Sequence, residues 1–210
     1  LGTGFSDNPN DTTMWDLPRY VEEVEQVRVA LNLNKDNFYI LGHSWGGILG
    51  MQYALKYQQN MKGLIISNMM ASCPEYVKYS KLLEKQMNPQ VLSEIKAIES
   101  KKEYTNPRYM ELLMNNFYNE HILRMPINQW PEPVTRSMSK SNSSLYITMQ
   151  GPSELGLSGK LTNWDVSKQL PTIAIPTLVI GAKYDTMNPD YMKWMSQQLP
   201  KGSYLYCSKG

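Results

Sequence analysis

The sequence carries only two cysteines, Cys73 and Cys207, in 210 residues. That number cannot staple a small secreted scaffold, so free thiols and a reducing compartment, the cytoplasm, are the expectation. No apolar run approaches the roughly 20 residues that a bilayer-spanning helix needs, and no membrane partner is expected. Charge of either sign is not in excess: 21 Lys and Arg stand against 19 Asp and Glu. The basic residues are scattered and form no stripe, so the electrostatic footprint of a nucleic-acid binder is missing as well. Histidine is scarce, with His43 and His121 alone. No internal repeat or low-complexity tract occurs, and neither metal nor cofactor is expected. What is there is ordinary globular composition, 41% hydrophobic and 19% charged. A chain of this length can bury one sizeable core, or a core with a lid.

Hydrophobic periodicity divides the chain in three. In residues 16–32 the apolar positions Leu17, Val21, Val24, Val27 and Leu31 form a helical stripe, with Pro18 in the first turn where its missing N–H costs nothing. Phe38-Tyr39-Ile40-Leu41 before Gly42 reads as a buried parallel strand, and a helical pattern runs from Gly46 to about Asn60. Gly63-Leu64-Ile65-Ile66-Ser67 reads as a second buried strand, completing a right-handed βαβ unit. Residues 1–69 are therefore the first part of an α/β core. From 70 to 164 the pattern turns helical, with periods around 75–86, 89–102 and 107–119, which predicts a cap or lid. Regular βα alternation resumes over 165–210: a short helix near 165–170, a strand at 177–181, a helix at about 189–199 and a strand at 203–207. The fold class is α/β, a doubly wound, mostly parallel sheet with a helical insertion after the second strand.

Gly42-His43-Ser44-Trp45-Gly46-Gly47 contains G-x-S-x-G between the strand and the helix. That placement is the nucleophile elbow of the α/β-hydrolase fold, in which the serine hydroxyl stands clear of the sheet on a sharp, strained turn. Side chains at positions 42 and 46 are expected to collide there. The N–H of Trp45, at the start of the helix, is placed to hold an oxyanion. In this fold the acid follows a late strand, and Ile180-Gly181-Ala182-Lys183-Tyr184-Asp185 supplies Asp185. The competing reading of Asp185 is a helix cap, a role that Asn188-Pro189 is already suited to fill. His43 sits on the same turn as Ser44, where its ring cannot reach round to the hydroxyl. His121 falls in the insertion, where lid packing is its expected role. The catalytic histidine is expected after the last strand, beyond Gly210, and without it the serine stays a weak nucleophile.

Gly42–Gly47, the opening Gly2-Thr3-Gly4-Phe5-Ser6, and Gly151-Pro152-Ser153-Glu154-Leu155 with Gly159-Lys160-Leu161-Thr162-Asn163-Trp164-Asp165 together resemble the proline iminopeptidase (prolyl aminopeptidase) family of serine peptidases. The similarity covers nearly the whole chain. It implies release of an N-terminal residue, often proline, from short peptides, and it implies that Glu154 binds the free α-amino group. A single carboxylate in a covered pocket is suited to recognising one ammonium. The family pattern also includes an upstream His-Gly-Gly-Pro that contributes the second oxyanion donor, and frequently a Glu directly after the catalytic Asp, where this chain has Thr186. The chain is thus expected to be an internal fragment of a serine aminopeptidase, inactive by itself. Two alternatives stand beside that reading: a carboxylesterase or small-amide hydrolase on the same scaffold, and a non-catalytic hydrolase-like binding protein with Tyr109, Met110, Met114 and Tyr118 lining its pocket. Oligomeric state is not set by the sequence.

Overall fold

A computed structural model describes residues 1–210. Strands β1 (Tyr39–His43), β2 (Gly63–Ser67), β3 (Thr177–Ala182) and β4 (Gly202–Cys207) form one parallel sheet in the order β1-β2-β3-β4. The register aligns His43 with Ser67 and Ser67 with Ile180, so the strands end together along one carboxyl-terminal rim. Helix α1 (Leu17–Ala30) packs on α2 (Trp45–Tyr57), and α2 covers β1 and β2. Helix α9 (Pro189–Gln198) covers β3 and β4. The two long apolar runs become β2 and β3 because both faces of a central parallel strand are covered. Leu64, Ile66 and Val179 join Ile48, Met51 and Tyr53 of α2 in the main core.

Between β2 and β3 come α3 (Cys73–Glu84), α4 (Pro89–Ser100), α5 (Pro107–Leu113), a π-helical turn (Met114–Tyr118), α6 (Asn119–His121), α7 (Glu132–Ser139) and α8 (Ser143–Met149). The helix starts follow local chemistry: Ser72, Asn88, Asn106 and Asn142 each accept a hydrogen bond from a first-turn N–H. These helices have a core of their own, in which Leu83, Ile95, Leu113 and Phe117 pack with Leu155. The helix expected over 107–119 is broken by the π turn, and the short helices α7 and α8, of 8 and 7 residues, were not singled out in the sequence. The short helix near 165–170 is a 3-10 helix at Ser167–Thr172.

One expectation about the elbow is corrected. A Cβ at Gly42 would run into the Gly46 carbonyl, as anticipated, but a Cβ at Gly46 meets nothing within 4 Å. The second close approach is at Gly47, where an added Cβ would lie 2.6 Å from Met69 Cβ and 3.4 Å from Ile66 Cγ2. The reason is rotational: Gly47 turns inward toward β2 and its following segment, whereas Gly46 turns outward. Gly42→Ala and Gly47→Ala are expected to lose about 1–3 kcal/mol by overpacking. Gly46→Ala, in a helical turn with open space, is expected to gain about 0.5–1 kcal/mol. Urea unfolding of the three variants checks the contrast, and equal losses at all three positions would refute it.

Candidate active site

Ser44 lies between β1 and α2 with φ 51° and ψ −123°, a conformation that L residues rarely adopt. Its N–H donates to Ser67 O at 3.0 Å, and its carbonyl accepts from Gly47 N at 2.7 Å. These two bonds pin the turn from both sides and support a strain of about 1–3 kcal/mol. Ser44 occupies the cap position of α2 without using its side chain as a cap, so the hydroxyl is left for other work. Trp45 is the first residue of α2, and its N–H belongs to the unsatisfied donors of the helix start. Its indole packs edge-on against Tyr20 with centroids 5.1 Å apart, and its ring N–H is buried without a partner.

Asp185 follows β3 on the same rim as the elbow. Its loop is tied to the end of β4 by Lys183 N donating to Cys207 O at 3.1 Å and to the residues that follow it by Tyr184 N donating to Gly210 O at 2.9 Å. One carboxylate oxygen accepts from Met187 N at 3.1 Å and Thr186 Oγ1 at 3.3 Å; the other accepts from Asn68 Nδ2. Burial raises the Asp185 pKa above the usual carboxylate range, against the lowering by Asn68 and the Met187 N–H. Asn188, not Asp185, caps α9, accepting from Asp190 N at 2.9 Å and Tyr191 N at 3.4 Å. The carboxylate at 185 is therefore free of the structural duty that could have explained it.

Glu154 sits in a cage of tyrosines drawn from three separate elements. Tyr146 of α8 donates to Oε1 at 2.5 Å. Tyr76 of α3 donates to the Glu154 carbonyl at 2.7 Å and lies 3.3 Å from Oε2. The Tyr118 hydroxyl, from the π turn, accepts from Glu154 N at 3.3 Å. The segment reaches this position through Gly151 at φ 127°, where a Cβ would lie 2.7 Å from Ser158 Oγ. Glu154 keeps some surface accessibility, yet it is densely surrounded by protein. Its pKa is raised by burial first, lowered by the Tyr146 and Tyr76 hydroxyls, and raised again by the negative charge of Asp185. The negative charge of Asp185 reaches Glu154, which places the two carboxyls in one electrostatic neighbourhood.

Neither histidine hydrogen-bonds to Ser44. His43 faces Ser67 Oγ at 3.4 Å from Nδ1. His121 packs against Phe117 with tilted rings, centroids 4.8 Å apart, and its Nδ1 lies 2.7 Å from the carbonyl of Tyr184, the residue before Asp185. Thr186 is buried, 2% exposed, under Asp185. Of the residues considered as pocket lining, Tyr109 instead donates to Glu99 at 2.8 Å and Met110 is exposed. Two open surface cavities lie elsewhere: one of about 630 Å³ beside Asn119 and Arg124, one of about 700 Å³ beside Asp7 and Arg19, and neither touches Ser44, Glu154 or Asp185.

The tyrosine cage and the Asn68 contact were missed from the sequence. Each depends on side chains far apart in the chain, and no local pattern marks them.

The sequence pattern that defines the alpha/beta hydrolase fold matches residues 1–207. The proline iminopeptidase of Flavobacterium johnsoniae is 57% identical over 211 aligned residues, which cover 100% of this chain and 70% of that protein. Among solved structures, VinJ superposes with a TM-score of 0.90 at 25% identity, covering 99% of this chain and 70% of VinJ. A proline iminopeptidase from Mycobacterium smegmatis superposes at 0.83 and 26% identity, covering 99% of this chain and 69% of that one.

Proposed function

This chain belongs to the proline iminopeptidase family of α/β hydrolases, and on that premise we propose that it is the catalytic body of a serine aminopeptidase that releases N-terminal residues, proline among them, from short peptides. The observation that carries the proposal is the shared rim: Ser44 on its strained elbow, Asp185 on the neighbouring acid loop, and Glu154 within reach of the Asp185 charge.

In this reading Glu154 accepts hydrogen bonds from the substrate ammonium and sets the distance between the N-terminus and the scissile carbonyl. The helices between β2 and β3, residues 70–164, form the lid that carries Glu154 over the rim. Ser44 Oγ attacks the carbonyl carbon while its proton passes to a histidine base oriented by Asp185. The Trp45 N–H donates to the carbonyl oxygen as negative charge develops there. Collapse of the tetrahedral adduct breaks the peptide bond, and the histidine returns the proton to the leaving amine. Water then hydrolyses the ester on Ser44 by the same steps in reverse order. The base is not one of the two histidines in residues 1–210, and the chain spans about 70% of the length of its relatives. We assign both the base and the second oxyanion donor to sequence outside these residues, so residues 1–210 alone are inactive.

The test uses the full-length enzyme and two substrates, a prolyl arylamide and its N-acetylated form. The free-amine compound is expected to turn over at least tenfold faster, because a neutral acetamide gives Glu154 no ammonium to hold. Equal turnover of the two would remove the aminopeptidase reading. Thr186, where related enzymes frequently carry a second carboxylate, favours a different outcome: a carboxylesterase that cleaves simple aryl esters and neither arylamide.

A further inference from the structure

The end of β2 joins the elbow to the acid loop through consecutive residues. Ser67 O accepts the N–H of Ser44 at 3.0 Å. One residue later, Asn68 N donates to Ile180 O at 3.0 Å, holding the end of β3 from which the acid loop departs. The Asn68 side chain continues the bridge. Its Oδ1 accepts from Ser67 Oγ at 2.5 Å, and its Nδ2 donates to the Asp185 carboxylate. The donor and acceptor ends of the amide are thus both occupied, which fixes its orientation. Asn68 adopts φ 54°, a left-handed conformation that asparagine tolerates better than most residues other than glycine. A residue in an uncommon conformation and partly buried thus directs a side-chain donor at a carboxylate on the rim that carries the nucleophile.

We propose that Asn68 is the positioning residue for the acid: its carboxamide holds the Asp185 carboxylate in the orientation needed to receive the histidine, and its backbone locks the acid loop to the strand that supports Ser44. This rests on the serine-hydrolase reading of Ser44 and Asp185. Without the Nδ2 donor, the carboxylate is held only by Met187 N and Thr186 Oγ1, both on its other oxygen. It is then free to rotate away from the line to the base. Removing an orienting partner of this kind affects proton transfer and leaves recognition of the substrate amine at Glu154 alone.

Asn68→Gly is the informative variant because it deletes the carboxamide and accepts the positive φ without strain. In the full-length enzyme it is expected to lower kcat about tenfold on a prolyl arylamide with KM unchanged, and to slow covalent labelling of Ser44 by a fluorophosphonate by a similar factor. Asn68→Asp keeps the shape but places a second carboxylate against Asp185. It is expected to lower kcat at least as far, again with KM unchanged. Wild-type rates of turnover and labelling in Asn68→Gly would overturn the inference while leaving the aminopeptidase reading intact. A rise in KM with kcat unchanged would also overturn it, by moving the effect to substrate binding. If the unsubstituted enzyme is not labelled at Ser44 at all, the serine-hydrolase reading falls and this inference falls with it.

Discussion

Ser44→Ala in the full-length enzyme is expected to lower kcat by at least about 10⁴-fold on aminoacyl arylamides and to abolish fluorophosphonate labelling, with KM little changed. The size of the effect follows from the chemistry: without Oγ no acyl-enzyme forms, and what remains is orientation and oxyanion stabilisation acting on water. The elbow geometry adds a second, independent readout. Ser44 is held at φ 51° by donating its N–H to Ser67 O and accepting at its carbonyl from Gly47 N, so alanine inherits the strain and should melt where the wild type melts. Ser44→Gly should be equally inactive but more stable. Relief of about 1–3 kcal/mol of backbone strain exceeds the roughly 0.5–1 kcal/mol that glycine forfeits in chain entropy. An Ala variant retaining more than about a hundredth of the activity would place the nucleophile elsewhere, because loss of a triad serine leaves far less than that.

The elbow was readable because its requirements are local. A strand, a G-x-S-x-G turn and a helix follow one another within twenty residues, and parallel strands buried on both faces announce themselves as apolar runs such as Gly63–Ser67. The place of Asp185 was readable for a related reason, since the apolar run that becomes β3 marks the strand end it follows, and Asn188 left the cap position unavailable to it. Gly46 was misread because G-x-S-x-G marks its second glycine as the crowded one, while crowding depends on which way the first helical turn faces; Gly47 faces Met69. The tyrosines around Glu154 had no signature at all. Tyr76, Tyr118 and Tyr146 are 42 and 28 residues apart in sequence, and they meet only when α3, the π turn and α8 pack together. Asn68 is similar: its left-handed backbone follows a strand that ends one residue earlier, and nothing in Ser67-Asn68-Met69 reveals a contact with a loop 117 residues away. Sequence periodicity reports which face of an element is apolar. It does not report where the polar ends of buried tyrosines and amides converge.

That convergence sets the terms for Glu154→Gln, which is expected to lower kcat/KM on free-amine substrates by about 10- to 100-fold and, at the same time, to raise the melting temperature at about pH 8. The loss of activity is that of a charge-assisted hydrogen bond, about 1.5–3 kcal/mol, replaced by a neutral one. The gain in stability follows from linkage. Burial raises the folded-state pKa of Glu154 above its unfolded value, and Asp185 adds to the rise, so the favourable state of this group in the fold is the neutral one. Its contribution to stability is complete below the unfolded carboxyl value of about 4.3 and is lost as pH climbs through the raised folded value. Glutamine is never ionised and escapes that loss, so the two proteins should melt together near about pH 4 and separate at higher pH. The same shift acts on substrate binding. Because only the carboxylate holds an ammonium strongly, KM for free-amine substrates should begin to rise, as pH falls, at a higher pH than an ordinary glutamate would dictate. Tyr146→Phe removes the hydroxyl that donates to Oε1 and lowers the Glu154 pKa, and should move that onset higher still. A Gln variant that melts below the wild type at about pH 8, or a KM indifferent to pH across this range, would show that Glu154 is a structural carboxyl held by its tyrosines and that the amine is recognised elsewhere.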